Sequence, residues 1–271
     1  MVAGDGTSYG STGLHKYIYE ADTHKRISIL GYQARKVSMK KDLKNEKRGG
    51  MYWKGTQAYP SVTQILSVID KPTLRHWYGR QVFYAMLANP NLSEKQAMSA
   101  PYEISSKAKD RGSTVHSIVE AFENGNKVKL TSIPTEYRGY AKAFYRWVEQ
   151  MKITILQHER TIFSEQHKYA GTLDLVVQMG EEKPPKLYVI DVKTGKDIYS
   201  EAFMQIAAYR AALAESKLNV QGVGVILLGK EGEYKFEAME DTEVKFNGFL
   251  ACKKIWEALN EEMLRKVAYF V

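Results

Sequence analysis

Residues 169–179, Tyr169-Ala170-Gly171-Thr172-Leu173-Asp174-Leu175-Val176-Val177-Gln178-Met179, and residues 187–193, Leu187-Tyr188-Val189-Ile190-Asp191-Val192-Lys193, are two apolar runs that each carry an acid. Gly180 and Pro184-Pro185 separate them, so the chain turns there and the second run returns beside the first as a hairpin. Side chains alternate along a strand, which puts Asp191 and Lys193 on one face and Val192 on the opposite, core-facing one. Thr194-Gly195 then closes the strand with turn residues. Asp174 lies in an otherwise apolar segment, where a carboxylate is costly to bury unless a cation or a hydrogen-bond donor meets it. The hairpin brings it toward Asp191.

Outward from this pair, Thr154–Phe163 reads as a preceding strand, Gly222–Leu228 as a buried strand and Tyr234–Ala238 as an edge strand. Helices are expected over Tyr137–Met151, Ser200–Ser216 and Glu243–Ala268, and over Ser105–Phe122 ended by Asn124-Gly125. Upstream, Ser61–Leu87 has a helical pattern, capped at Ser61 or Thr63 and interrupted or restarted at Pro72. Asn89–Pro101 reads as a polar link. Tyr17–Glu20 and Arg26–Tyr32 form a short strand pair after a Gly/Ser-rich flexible tail. Lys40–Gly50, with Lys40, Lys41, Lys44, Lys47 and Arg48, is a solvated loop or a track for a phosphate backbone. The fold class that results is α/β (α+β): a central mixed β-sheet flanked by helices, with a helical N-terminal portion. The division expected is a tail over 1–13, a strand pair and helical region over 14–104, and a core over 105–271.

Thirty-nine lysines and arginines stand against 31 acids, a formal charge of +8 and a pI near 9.2, which favours an anionic partner such as nucleic acid. A single cysteine, Cys252, excludes an intramolecular disulfide and any four-thiolate zinc or iron–sulfur site built from this chain alone. No run of about 18 apolar residues is present, so no membrane span is expected. The lone cysteine fits a reducing, intracellular setting, and the start lacks a basic-then-apolar leader, so a cytoplasmic location is the expectation.

Phosphodiester cleavage near neutral pH needs a good nucleophile, neutralised phosphate charge and a stabilised leaving oxygen. Divalent cations held by clustered carboxylates supply all three. Asp174 with Asp191-Val192-Lys193 resembles the core motif of the PD-(D/E)XK nuclease superfamily. Gln205 and Tyr209, at i and i+4 on the following helix and so on one face, are similar to the Gln-x-x-x-Tyr of its RecB-like branch. Arg111-Gly112-Ser113-Thr114-Val115-His116-Ser117-Ile118-Val119-Glu120 resembles that branch's upstream helix. Tyr59-Pro60-Ser61-Val62-Thr63-Gln64-Ile65-Leu66, followed by Leu74-Arg75-His76-Trp77, is similar to the leading segment of the mitochondrial genome maintenance exonuclease and related phage exonucleases. The matches cover roughly residues 59–210 in family order. Asp191 departs from the glutamate that many members carry.

The resemblance implies a restriction-endonuclease-like core and a helical region that admits DNA. It implies a site that binds one or two Mg²⁺ or Mn²⁺ ions through His116, Asp174, Asp191 and the Val192 carbonyl, with no iron–sulfur cluster. Asp174, Asp191, Lys193, Gln205 and Tyr209 are the implied catalytic set: Lys193 orients water or stabilises developing charge, Gln205 positions water or a phosphate oxygen, and Tyr209 bonds the backbone or packs. Ser61, Thr63, Arg75, Trp77, Ser113 and Thr114 are implied DNA contacts, although Ser113 and Thr114 also suit helix capping and Trp77, Tyr78, Tyr52 and Trp53 suit either base stacking or the core. Glu120 either orients His116 or pairs at the surface; Glu165 is a further acid of the site or an exposed carboxylate.

The leading expectation is an exonuclease on single-stranded or frayed DNA ends, serving replication, recombination or repair in a bacterial or phage-infected host cell, with phage or host recombination or replication proteins as partners. A structure-specific endonuclease and a non-catalytic DNA-binding module are the alternatives.

Overall fold

The computed structural model describes residues 46–122 and 127–267. The expected tail, the strand pair at Tyr17–Glu20 and Arg26–Tyr32, the start of the basic stretch and the Asn124-Gly125 stop lie outside the described residues. Two sheets are built. The smaller is antiparallel, β1 (Glu46–Arg48), β2 (Met51–Lys54) and β3 (Gln57–Pro60), so the end of the basic stretch is a hairpin strand turned at Gly49-Gly50, both at positive φ. The larger has five strands in sequence order: β4 (Ile153–Ser164), β5 (Tyr169–Met179), β6 (Lys186–Lys193), β7 (Gly222–Leu228) and β8 (Tyr234–Met239). Every pairing is antiparallel except β6 with β7, and that parallel step requires a crossover, supplied by helix α5 (Ser200–Glu215).

Helices cover both faces. On one, α4 (Arg138–Gln150) contributes Phe144 and Trp147 to a core with Ile190, Val192 and Ile226. On the other, α5 and α6 (Glu243–Leu259) pack Ile206, Leu213, Phe249 and Trp256 onto Val176, Val189 and Val223. Val189 and Val192 thus lie in opposite cores, as the two-residue period on β6 demands. A mixed central sheet with helices on both sides is the expected architecture.

Two expectations fail locally. Asn89–Pro101 is no link: α2 (Pro72–Ala88) is followed by α3, a 27-residue helix over Glu94–Glu120 with Pro101 inside it. A capping box explains the early start, because Gln96 N–H donates to Ser93 Oγ while Ser93 N–H donates to Gln96 Oε1. Ser93-x-x-Gln96 is legible in the sequence, and it outweighs the cost of Pro101 eight residues after Ser93. The closing helix also breaks, at Asn260, whose side chain donates to the Trp256 carbonyl at 2.8 Å before α7 (Glu261–Lys266) resumes. Ser61 caps the short α1 (Val62–Ile65) by accepting from Gln64 N–H at 3.1 Å. Among the described residues no helix is long and apolar enough to cross a membrane.

Candidate metal centre

The pairing of β5 with β6 ends at Leu175–Ile190, and one register step further Asp174 stands across from Asp191. There the strands part, and Asp174 Oδ2 accepts the Val192 N–H at 2.7 Å in place of a backbone partner. On the other side of β5, His158 pairs with Leu175 and Arg160 with Leu173, which sets Glu159 of β4 across from Asp174. Three adjacent strands therefore present acids at one level: Glu159, Asp174 and Asp191. Glu159 holds this place at φ 40°, a left-handed conformation that L residues seldom adopt within a strand.

His116, from α3, completes the group. Its Nε2 lies 3.0 Å from the Val192 carbonyl oxygen and its Nδ1 lies 3.4 Å from Glu159 Oε1 and 3.7 Å from Asp174 Oδ1. A ring whose Nε2–H donates to a backbone carbonyl presents Nδ1 as the free nitrogen, the arrangement that orients histidine ligands of metals. Ligand atoms of His116, Glu159 and Asp174 all lie within 4.8 Å of one another.

The electrostatics fit a cation there. Burial, then the neighbouring Asp191 charge, push the Asp174 carboxyl upward, against the pull of His116 and the Val192 N–H. The hydrogen bond to Glu159 is the largest influence on His116; with Asp174 and the Val192 carbonyl it overcomes burial and lifts the imidazole to about 9. Both shifts are signs of negative charge gathered in a poorly solvated place, which a divalent ion would relieve.

Asp191 is 2% exposed, and Lys193 Nζ sits 2.9 and 2.8 Å from its two oxygens. Burial works against the Lys193 charge, but Asp191 and, further off, Asp174 outweigh it and hold the ammonium above its usual range. From α5, Gln205 Nε2 lies 3.4 Å from Asp191 Oδ1 and 3.2 Å from the Tyr209 hydroxyl. Tyr209 in turn fills the space over Gly171, where a Cβ would meet its ring. Gly171 of the first run and Tyr209 of the helix are thus one packed unit. Tyr209 packs and bonds at once.

The sequence-derived residues divide clearly. His116, Asp174, Asp191, Val192, Lys193, Gln205 and Tyr209 come together, with Val192 meeting the site through its N–H and its carbonyl. Ser113 and Thr114 lie mid-helix, not at a cap; Thr114 Oγ1 donates back to the Asp110 carbonyl at 2.9 Å. Ser61 is 3% exposed and committed to capping, a correction to its reading as a DNA contact. Thr63 and Arg75 line a cavity of about 660 Å³ that extends to Gln205, while Arg75 pairs with Asp70 at 2.9 Å. Trp77 stacks edge-on with Tyr78. Tyr52 belongs to the core, its hydroxyl 3.0 Å from Thr172 Oγ1.

Glu120 is exposed, in keeping with the surface alternative, and the acid beside His116 is Glu159. Glu165 is not brought to the centre: at the far end of β4 it accepts from Lys54 Nζ and the Tyr59 hydroxyl, both at 2.6 Å. Its pairing with those groups pulls its carboxyl below the usual range against burial. Glu159 was missed. Its only trace in the sequence is the polar run Gln157-His158-Glu159-Arg160 inside a strand.

The model of the PD-(D/E)XK nuclease superfamily matches residues 84–268, and the chain belongs to that superfamily. Two solved structures are similar to it. One is an alkaline exonuclease, LHK-Exo, from Laribacter hongkongensis, at 12% identity over 79% of this chain and 95% of that one, with a TM-score of 0.36. The other is LHK-Exo in complex with dAMP, at 13% identity over 59% and 86%, with a TM-score of 0.33. No curated protein sequence matches the chain.

Proposed function

We propose that the chain is a Mg²⁺- or Mn²⁺-dependent DNA exonuclease of the RecB-like branch, acting on single-stranded or frayed ends. The observation that carries the reading is the meeting of His116, Glu159 and Asp174 ligand atoms within 4.8 Å, with Asp191 and Lys193 on the next strand. His116, Glu159, Asp174 and Asp191 would hold one or two ions. A divalent ion bound there supplies Lewis-acid polarisation of the scissile phosphate and lowers the pKa of a water. A mixed imidazole and carboxylate donor set accepts both Mg²⁺ and Mn²⁺.

The protein's own groups define the remaining chemistry. Lys193 stays an ammonium, since Asp191 holds its proton on, so it serves as a hydrogen-bond donor to developing negative charge and not as the base that deprotonates water. Gln205, tied to Asp191 and to the Tyr209 hydroxyl, keeps a carboxamide fixed beside the reacting phosphate. The segment before residue 105 would admit the strand, with Thr63 and Arg75 on the cavity wall that leads to Gln205. Activity in the cytoplasm of a bacterial or phage-infected cell, beside replication or recombination proteins, fits this role.

The deciding experiment is a time course on end-labelled single- and double-stranded DNA with Mg²⁺, Mn²⁺ or chelator. Cleavage is expected with both ions and none with chelator, and circular single strands should resist. Cutting of the circles replaces the exonuclease with an endonuclease. Asp191→Ala should abolish cleavage while retaining DNA affinity, because it removes a negative charge; wild-type turnover by that variant defeats the assignment.

A further inference from the structure

Arg111 of α3 is a cation that the fold leaves without an anion. The side chain is half-buried, and its Nε is sealed from water with no acceptor. Among the described residues its hydrogen bond is a long one, 3.4 Å from Nη2 to the Thr194 carbonyl, and no carboxylate pairs with it. Asp110, its neighbour on the helix, is exposed. Asp197, the first acid beyond Thr194, is committed elsewhere, 2.9 Å from Lys235 Nζ and accepting the Ile198 N–H at 2.8 Å. A charge taken partly out of water without a counter-charge is costly, and the unused N–H groups of a guanidinium form a planar fork that matches a phosphate.

The place is the exit of β6. There α3 meets the strand at two levels, through His116 Nε2 at the Val192 carbonyl and through Arg111 at the Thr194 carbonyl. Between these contacts Gly112 brings no side chain: a Cβ there would find nothing nearer than Thr194 Oγ1 at 3.9 Å, and a Cβ at Gly195 would find nothing within 4 Å. The Thr194 hydroxyl has no hydrogen-bond partner among the described residues. A guanidinium and a hydroxyl thus flank a notch whose floor two glycines keep open.

We propose that this notch seats the phosphate next to the one being cut, with the Arg111 guanidinium and the Thr194 hydroxyl as its donors, and so fixes which linkage of a bound strand lies at the metal centre. The inference rests on the nuclease reading and deepens it. The Val192 carbonyl marks the level of the centre, and Thr194 stands two residues on, about 7 Å at the rise of a strand. That is close to the separation of neighbouring phosphates along an extended strand. On binding, Arg111 exchanges one long bond to a neutral carbonyl for charged, paired bonds to a phosphate, which are the stronger kind.

The test is a set of oligonucleotides that each carry one uncharged methylphosphonate linkage, placed in turn around the bond cut first. Cleavage is followed with Mn²⁺, and binding is followed by anisotropy in chelator. For wild type, neutralising the linkage beside the cut bond should lower kcat/KM and affinity by about tenfold or more, the loss of a charged hydrogen bond. Arg111→Gln should lose about as much on unmodified DNA, and the neutral linkage should then cost it nothing further. Thr194→Val, which removes only a hydroxyl, should lose about threefold at the same position. Because Arg111→Gln removes an unpaired charge, it should melt no lower than wild type. A neutral linkage that costs the variant as much as wild type overturns the proposal, and so does a lowered Tm with an unchanged scan, which would make Arg111 a clamp on the turn. Failure of the nuclease reading looks different: wild type then cuts no unmodified strand with either ion, while binding in chelator still reports whether Arg111→Gln erases the effect of one linkage.

Discussion

Gly171→Ala should cost the protein both stability and turnover. A Cβ at Gly171 would lie 2.5 Å from Tyr209 Cε1 and 3.1 Å from both its Cζ and its hydroxyl. Tyr209 is 3% exposed, in the same core as Ile206 and Leu213, so the ring has no open side to swing into. Restoring ordinary contact requires a retreat of roughly 1 Å in a close-packed interior, and overpacking of this kind costs about 1–3 kcal/mol. At about 2–4 °C per kcal/mol for a chain of this size, Tm should fall by roughly 2–12 °C. The displacement also travels to the site, because the Tyr209 hydroxyl bonds Gln205 at 3.2 Å and Gln205 reaches Asp191 at 3.4 Å. A shift near 1 Å in a positioning group lowers turnover by up to about 10²-fold. Thermal denaturation and single-strand cleavage on the same preparation read both effects. A variant that melts within about 1 °C of wild type and cleaves at an unchanged rate would refute the coupling of Gly171 to Gln205 through Tyr209.

Gly112→Ala should act in the opposite direction: its Cβ would meet nothing nearer than Thr194 Oγ1 at 3.9 Å, so removing a mid-helix glycine should stabilise by about 0.5–1 kcal/mol, and a lowered Tm would contradict the open space seen there. Glu159→Gly should relieve the φ of 40° yet remove a ligand and the partner of His116, weakening Mn²⁺ binding by roughly 10–100-fold; calorimetric titration showing unchanged Mn²⁺ affinity would remove Glu159 from the centre. Metal affinity should depend on pH, since His116 must lose its proton to bind an ion. With the imidazole at about 9 in the metal-free fold, Mn²⁺ affinity should rise by about tenfold per pH unit as that proton is lost, more steeply toward acid where the raised Asp174 carboxyl also takes up a proton, and level above about 9, whereas a flat profile would place the ion elsewhere. The sign for the metal-free fold is the reverse: a folded value above the ordinary one gives stability that is whole below pH about 6.5 and lost as pH rises through about 9, and melting curves in chelator test it.

Strand existence was legible because the runs around Asp174 and Asp191 are long, apolar and bounded by Gly180 and Pro184-Pro185, and Tyr169–Met179 and Gly222–Leu228 emerge with the boundaries read from the sequence. The convergence of Asp174, Asp191 and Lys193 follows from the same reasoning, since alternation fixes a face and a hairpin fixes a neighbour. Asn89–Pro101 was misread because proline was weighed ahead of the Ser93–Gln96 capping box. Ser113 and Thr114 lost their capping alternative for the same reason, once α3 began at Glu94. The aromatic residues split by environment, which no single-sequence pattern encodes: Tyr52 went to the core, whereas Tyr84 and Tyr102 stayed open.

Glu159 shows why the remaining part was out of reach. Its partner Asp174 is set by the β4–β5 register, and that register shifts at a bulge between Ile155 and Gln157. One extra residue on a strand reverses which face every later side chain takes, so alternation counted from Ile153 assigns Glu159 to the wrong side. The positive φ at Glu159 adds a second local departure, and the other non-glycine residues at positive φ among those described, Lys152, Lys168 and Lys217, all sit in turns. Strain of about 1–3 kcal/mol in mid-strand persists only where the surroundings overrule it. Here the ladder holds on both sides, through His158–Leu175 and Arg160–Leu173, and the strained residue is the one whose carboxylate meets His116 across from Asp174. A bulge and one left-handed residue thus turn an ordinary edge strand into the third acidic wall of the centre.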